Sequence, residues 1–182
     1  MSTFEDWLEQ AARMKHVDPE VDMPEPLVHS SGEAHWLDPA MTGNPSRIGA
    51  LPEVPSRTME FYVQELDPGT AGDLQRHRHE SVHFVIEGEG YSEIGPRTER
   101  WRAGDLIYTP SWVWHRHYND GTRLVRMLLV ENSRMLAALD LNERESAGEV
   151  SYEQHRTGAS PASSEMLGTS LPHPRGDRRL SS

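Results

Sequence analysis

The 182-residue sequence contains no cysteine. Disulfide frameworks, thiolate nucleophiles, cysteine-ligated zinc sites and iron–sulfur clusters are therefore excluded. It also lacks any apolar run near the roughly 18–20 residues that cross a bilayer. Its first residues, which are rich in acidic side chains, lack the basic-then-apolar plan of a signal peptide. We therefore expect a cytoplasmic protein without a membrane partner.

Basic residues are scarce relative to acidic ones. The chain has 18 Lys and Arg against 29 Asp and Glu, which gives a formal net charge of −11. Because a polyanion such as DNA or RNA is bound through basic surfaces, this balance argues against a nucleic-acid partner. Histidine, in contrast, is abundant, with ten residues. The length predicts one domain of ordinary size with tails.

Composition divides the chain into four segments. Residues 1–57 carry a predicted amphipathic helix over 2–15, followed by a Pro- and Gly-rich stretch expected to wrap a core built elsewhere. Residues 58–132 carry the strand patterns, and 133–146 form a short helix or connector. Residues 147–182 are polar and poor in apolar side chains, so we expect them to be largely disordered.

The second segment has the pattern of an all-β domain. Short β-branched and aromatic runs alternate with Gly and Pro at intervals of about eight to twelve residues, which favours an antiparallel sandwich or small barrel. The predicted strands are Met59–Leu66, Val82–Glu87, Tyr91–Ile94, Thr98–Arg102, Asp105–Thr109, Arg116–Asn119 and Arg123–Glu131.

Half of the histidines fall within this segment, at positions 77, 79, 83, 115 and 117. His77 and His79 are separated by one residue, so on an extended segment both imidazoles point to the same face. Convergent neutral imidazoles on a rigid sheet are what a borderline divalent metal requires. An isolated pair of this kind is more often a pair of polar side chains on an exposed strand, but the further histidines favour a metal site.

Two motifs in this segment resemble those of the cupin superfamily. The second motif runs from Gly104 through Pro110 to His115 and Asn119, with Trp112 in place of a glycine. The first runs from Gly72 through the paired histidines to Gly90, with one residue fewer after its first glycine and a histidine where the family has glutamate. The resemblance implies a small antiparallel jelly-roll barrel, or double-stranded β-helix, with an N-terminal helix.

Carried over by position, the resemblance implies that His77, His79 and His115 are metal ligands. His83 occupies the glutamate position when counted forward from His79, which would make it a fourth ligand. Counted back from Gly88, that position falls on Ser81, and His83 is then a cavity-facing acid or base beside the metal. Both alternatives point His83 inward and stay open at this point.

The segments around both motifs resemble the gentisate- and salicylate-type dioxygenases, which use three histidines. This resemblance implies Fe(II), with Mn(II), Ni(II) or Zn(II) as alternatives, and a small aromatic or enolisable substrate whose C–C bond is cleaved with O₂. The alternatives are a non-redox metal-dependent isomerase, lyase or hydrolase, and a non-catalytic ligand-binding cupin. Single cupins also tend to pair, so a homodimer is expected.

Several side chains are candidates for contacts with the substrate. Trp112, Trp114 and Tyr108 bracket the second motif and either line the cavity or belong to the rim of the core. Arg126 interrupts an apolar strand and would either bind a substrate carboxylate or form a buried ion pair with Glu65 or Glu131. A further polar candidate for the cavity wall is Gln64 on the preceding strand.

Overall fold

The computed structural model of the protein describes residues 3–13 and 24–158. Within them, four α-helices and one short 3-10 helix accompany eleven strands. The helices are α1 (Phe4–Arg13), α2 (Pro39–Thr42), α3 (Ser133–Ala138) and α4 (Tyr152–Thr157), and the 3-10 helix is Ser31–Glu33. The strands are β1 (His35–Trp36), β2 (Arg47–Ala50), β3 (Glu60–Leu66), β4 (Gln75–His77), β5 (Ser81–Glu87), β6 (Glu89–Ile94), β7 (Arg97–Arg102), β8 (Leu106–Thr109), β9 (His115–Tyr118), β10 (Val125–Glu131) and β11 (Arg144–Ser146).

The strands form two antiparallel sheets. The six-stranded sheet has the order β1-β2-β3-β10-β5-β8, and the five-stranded sheet has the order β11-β4-β9-β6-β7. Strands distant in sequence are neighbours in both sheets, because the chain passes repeatedly from one sheet to the other. This exchange is the topology expected of a jelly roll, and the predicted all-β antiparallel fold is confirmed.

Burial alternates along β5, β8 and β10, and this alternation places the core between the sheets. On β5, Ser81, His83 and Val85 are buried while Phe84 and Ile86 are exposed. The buried apolar cluster comprises Leu66, Val85, Trp101, Ile107, Val125, Met127 and Leu129. The period of two thus gives each strand an apolar section and, on β5, a histidine on the same inward face.

Gly90, the last glycine of the first motif, lies on β6 in close contact with the neighbouring strands β7 and β9 of the five-stranded sheet. A Cβ added there would lie 2.1 Å from the carbonyl oxygen of Tyr118 and 2.6 Å from the ring of Trp101. We therefore expect Gly90→Ala to lower the free energy of unfolding by about 3 kcal/mol, because backbone and a packed indole must both shift. Urea denaturation measures the change.

Gly104→Ala is the matched control for that substitution. Gly104 has a φ of 95° but nothing within 4 Å of an added Cβ, so only the backbone conformation opposes alanine there. This costs roughly 1–2 kcal/mol. Equal losses at the two positions would contradict the close approach at Gly90.

The structure adds elements that composition did not predict. The Pro- and Gly-rich segment contributes β1 and β2, and β2 pairs with β3 at the edge of the larger sheet. Residues 144–146 pair with β4 as β11, and α4 lies in the segment expected to be disordered. The remainder of that segment, residues 159–182, lies outside the described residues. No helix in the described part of the chain is both long and apolar enough to cross a membrane.

Candidate metal centre and cavity

The five clustered histidines meet inside the barrel. Strand β4 ends at His77 and the turn after it carries His79, while β5 supplies His83 and β9 supplies both His115 and His117. The rings of His77 and His79 are stacked with centroids 3.6 Å apart, and His115 meets His77 edge-on at 4.6 Å. The stacking of His77 on His79 agrees with the prediction that both imidazoles point to the same face of the strand.

Backbone carbonyls fix the tautomers of two of these imidazoles. His77 Nδ1 lies 2.8 Å from the His79 carbonyl oxygen, and His115 Nδ1 lies 2.9 Å from that of Val113. Because a carbonyl only accepts, each Nδ1 carries the proton and each neutral ring keeps a lone pair on Nε2. The Nε2 of His115 is buried and has no hydrogen-bond partner.

Burial keeps these two rings uncharged. It lowers the pKa of His115 to about 3, with a further contribution from the neighbouring His117. Burial, followed by the proximity of His115 and His79, holds the pKa of His77 well below its usual range. Both side chains are therefore neutral donors at physiological pH, which is the protonation state of a metal-binding imidazole.

His79 differs because a carboxylate reaches it. Its Nδ1 donates to Asn142 Oδ1 at 2.9 Å, and its Nε2 lies 3.3 Å from Glu131 Oε2. Burial alone would lower the pKa of His79, but the charge of Glu131 and the hydrogen bonds that His79 donates to Glu131 and Asn142 raise it above the ordinary value. The same contact lowers the pKa of Glu131 against the opposing effect of burial.

His83 and His117 form a second imidazole pair, with ring centroids 4.3 Å apart. His83 Nε2 lies 3.2 Å from Ser81 Oγ, while its Nδ1 is buried without a partner. Burial lowers the pKa of His83 to about 3. His117 Nδ1 lies 2.7 Å from Ser92 Oγ, to which Trp101 also donates.

A cavity of about 600 Å³ opens beside the histidines. Its apolar walls come from β2, β3, β10 and the helices, and its polar walls from the histidines and four glutamates. The lining includes Leu37, Met41, Ile48, Tyr62, Trp112, Leu129 and Ala137 together with Glu60, Gln64, His77, His79, His83, Glu131, Asn142, Glu143, Arg144 and Glu145. This size and mixture suit a small planar ligand.

The structure separates the candidate substrate contacts into two groups. Gln64 and Trp112 line the cavity. Tyr108 is 53% exposed and donates to Glu80, Trp114 packs against His155, and neither belongs to the cavity lining. Arg126 forms the ion pair with Glu65, at 2.6 Å, and also lies outside the lining.

The backbone conformation of Trp112 explains why the second motif has a glycine at this position in the family. It has a φ of 59°, in the left-handed region that glycine adopts most readily. Its backbone N–H donates to the His77 carbonyl at 2.7 Å, and its indole lies beneath the guanidinium groups of Arg76 and Arg78 at 4.5 and 4.1 Å. These contacts hold a tryptophan in a conformation it rarely adopts and make it a wall of the cavity.

Among the described residues, no three His, Asp or Glu side chains are already arranged around one point as a metal cage. The chemistry of the donors nevertheless fits a borderline divalent ion. The Nδ1 atoms of His77, His79 and His115 are each held by an oxygen acceptor, as is usual for imidazoles that bind a metal through Nε2. The Nε2 of His115 is buried without a hydrogen-bond partner among the described residues, so it is available to an ion. We therefore treat the histidine cluster as a candidate metal centre.

Sequence reasoning missed three of the polar groups around this centre. The sequence suggests Glu131 only as an ion-pair partner of Arg126, whereas its carboxylate lies beside the imidazole of His79. Asn142 and Arg144 lie in a segment that composition gave as a connector, and both reach the cavity. The alternation of β10 signals Glu131, because it shares the inward parity of Met127 and Leu129, whereas no local signal identifies the other two.

The two exchanged sheets, with the buried histidines inside, form a barrel of the double-stranded β-helix class. Residues 62–131 match the family model described as a cupin domain. The predicted resemblance to the gentisate and salicylate dioxygenases is confirmed by the following relatives.

The chain is 34% identical over 102 residues to a gentisate 1,2-dioxygenase of a Streptomyces species, a match covering 52% of this chain and 28% of that enzyme. An acireductone dioxygenase of Yarrowia lipolytica is 27% identical over 81 residues, or 42% of this chain and 41% of the enzyme. In both cases the match spans less than half of the relative. A salicylate 1,2-dioxygenase variant from Pseudoaminobacter salicylatoxidans, solved with gentisate, shares the fold with a TM-score of 0.52 and 22% identity, covering 81% of this chain and 38% of that one.

Proposed function

We propose that the cavity is the active site of a mononuclear metal-dependent dioxygenase that uses O₂ to cleave a C–C bond of a small aromatic or enolisable substrate. The observation that carries the proposal is the cluster of buried imidazoles beside a partly apolar cavity of about 600 Å³, with unpartnered ring nitrogens on His83, His115 and His117 among the described residues. The dioxygenases to which the chain is similar support the reaction class.

In this proposal His77, His79 and His115 hold Fe(II), which supplies the redox chemistry that O₂ requires. The chain prepares these ligands in advance, because the His79 and Val113 carbonyls and Asn142 orient the rings and fix their tautomers. Glu131, whose Oε2 lies 3.3 Å from His79 Nε2, would offer a carboxylate oxygen to the same ion.

We assign His83 to the substrate rather than to the ion. Its side chain lines the cavity, its ring contacts His117, its Nε2 faces Ser81, and its buried Nδ1 has no partner among the described residues. With a pKa of about 3, the ring stays neutral. His83 Nδ1 therefore accepts a hydrogen bond from a substrate hydroxyl and orients it, while Trp112 and Leu129 supply apolar surface for the ring of the substrate.

Metal reconstitution tests the proposal. Metal-depleted protein is loaded separately with Fe(II), Mn(II), Ni(II) or Zn(II), and O₂ uptake is followed with catechol, hydroquinone, gentisate, salicylate and a β-diketone. We expect uptake with a redox-active metal and none with Zn(II), because Zn²⁺ has no accessible second oxidation state. Absence of uptake with every combination would contradict the proposal. Anaerobic turnover with Zn(II) would instead indicate Lewis-acid chemistry.

A further inference from the structure

We infer that Asn142 is a positioning residue that sets the affinity of the metal centre through His79. The inference rests on the proposed function, since it takes His79 as a ligand of the ion. Asn142 lies beyond residues 62–131, which match the cupin family model, so the contribution comes from a segment outside both motifs. It is carried by the register of β11 on β4, by the contacts that hold β11 in place and by the hydrogen bond from His79.

The register of β11 on β4 places Asn142 opposite His79. Arg144 pairs with His77 in the antiparallel ladder, and antiparallel partners move in opposite directions along the two strands. Two residues further on, the same register therefore brings Asn142 opposite His79. The two side chains meet there, with His79 Nδ1 2.9 Å from Asn142 Oδ1.

Two ion pairs across the ladder fix this register. Glu145 accepts from Arg76 at 2.6 Å, and Glu143 accepts from Arg78 at 2.9 Å. The backbone adds a hydrogen bond of 2.9 Å from the Arg78 N–H to the Glu143 carbonyl. A slip of one residue would break both ion pairs and turn Asn142 to the other face, because side chains alternate between the faces of a strand.

Arg144 fastens the same strand to the wall of the cavity. Its Nε donates to Gln75, its Nη1 to the Thr42 carbonyl and its Nη2 to Asp73, at 2.6 to 2.8 Å. The Asp73 carboxylate is buried, so its pairing with a guanidinium is costly to break. The segment that carries Asn142 is therefore held in position by contacts within the protein.

His79 depends on a side chain where the other two candidate ligands depend on the backbone. The Nδ1 atoms of His77 and His115 face the carbonyls of His79 and Val113, which no side-chain substitution removes. The acceptor for His79 is the amide oxygen of Asn142. It makes Nδ1 the donor, so that Nε2 is the atom offered to an ion. We therefore expect metal affinity to depend on the side chain at position 142.

Two substitutions of Asn142 separate the orientation of His79 from the packing of the segment. Asn142→Asp keeps the shape of the side chain, and its carboxylate can only accept, so it holds the Nδ1 proton at least as firmly. It also adds a negative charge near the ion. Asn142→Leu keeps a similar volume but offers no acceptor. A role in orientation therefore predicts weaker metal binding for leucine and no weakening for aspartate.

Anaerobic titration of the metal-depleted full chain with Zn(II), in competition with a chromophoric chelator, measures this affinity without substrate. Asn142→Leu should raise the dissociation constant by about ten- to a hundredfold, which is the range for lost partners of a metal ligand. Asn142→Asp should leave it unchanged or lower it. An increase of less than about tenfold in Asn142→Leu, or any increase in Asn142→Asp, would overturn the inference.

Gln154→Leu is the matched control. Gln154 Oε1 accepts from the Ser151 N–H at 2.8 Å at the start of α4, and Gln154 does not belong to the described cavity lining. The same kind of amide acceptor is thus lost away from the candidate ligands, and Zn(II) affinity should stay at the wild-type value. An equal loss in this control would contradict a specific role for Asn142. Urea denaturation shows whether each metal-free variant folds, and if Asn142→Leu does not, Asn142→Asp decides.

The two proposals fail in different ways. Zn(II) binding is measured without O₂, so a large effect of Asn142→Leu on affinity, with no O₂ uptake by any reconstituted wild-type protein, would contradict the dioxygenase and keep the role of Asn142. O₂ uptake by the wild-type protein, together with unchanged affinity in Asn142→Leu, would overturn the positioning role alone.

Discussion

His115→Ala is expected to weaken metal binding by at least about a hundredfold and to bring O₂ uptake to background. His115 is fully buried, its Nε2 has no partner among the described residues, and its ring centroid lies 4.6 Å from that of His77. Loss of partners around a ligand already costs about ten- to a hundredfold in affinity, and loss of a ligand itself exceeds that. Elemental analysis and anaerobic metal titration measure the effect.

Two further histidine-to-alanine variants make that result specific. His35 lies on β1 with its side chain 62% exposed and contacts Glu53, so His35→Ala should retain both metal and activity. His83→Ala should retain the metal but lose O₂ uptake, because His83 is assigned to the substrate. Metal loss in His83→Ala would place that residue among the ligands, and full metal content in His115→Ala would remove His115 from them.

The strands of the barrel could be predicted because burial imposes a period of two on them. The observed β5, β7 and β10 lie within two residues of the predicted strands at each end. Turn residues set these limits, since Gly88 and Gly104 have positive φ values and end the runs that precede them. The alternation of residues and the turn glycines within each segment are therefore sufficient to predict these strands.

The edge strands could not be predicted, because their stability comes from partners distant in sequence. Strand β2 is a four-residue, glycine-containing run that pairs with β1 and β3, and β11 is three residues long and pairs with β4. Arg144 joins these additions to the cavity by reaching both Asp73 and the Thr42 carbonyl. No period within either segment encodes that contact.

The candidate site shows the same division between local and tertiary information. The parity of a strand places His83, Gln64 and Glu131 inward, and the structure has all three in the cavity lining. Parity does not tell which inward residues meet solvent-filled space and which meet another side chain. Arg126 has the opposite parity on β10 from Met127 and Leu129, and on that other face Glu65 accepts from it together with Arg47.

Acidification is expected to destabilise the metal-free protein steeply below about pH 6.5. His83 and His115 have pKa values of about 3 in the folded protein because they are buried, whereas an unfolded chain has about 6.5. Below 6.5 the unfolded state therefore binds more protons than the folded state, and the free energy of unfolding falls as the pH falls. The loss continues until the pH approaches the folded-state pKa.

The magnitude follows from the size of the two shifts. At pH 5, His83 and His115 each lower the free energy of unfolding by about 2 kcal/mol, so together they lower it by about 4 kcal/mol. The free energy of unfolding of a domain is typically about 5–15 kcal/mol, so this loss is a large fraction of it. His77 and His117, whose pKa values are also lowered, act in the same direction. His79 acts in the opposite direction, because its raised pKa favours the folded state at low pH.

Urea denaturation of chelator-treated protein at pH 7.5 and pH 5 measures this loss. His83→Gln should reduce the difference in unfolding free energy between the two pH values by about 2 kcal/mol, because glutamine does not titrate and the contribution of His83 disappears. Equal stability at both pH values would show that the buried imidazoles take up protons without cost, and it would remove the basis for treating them as neutral donors.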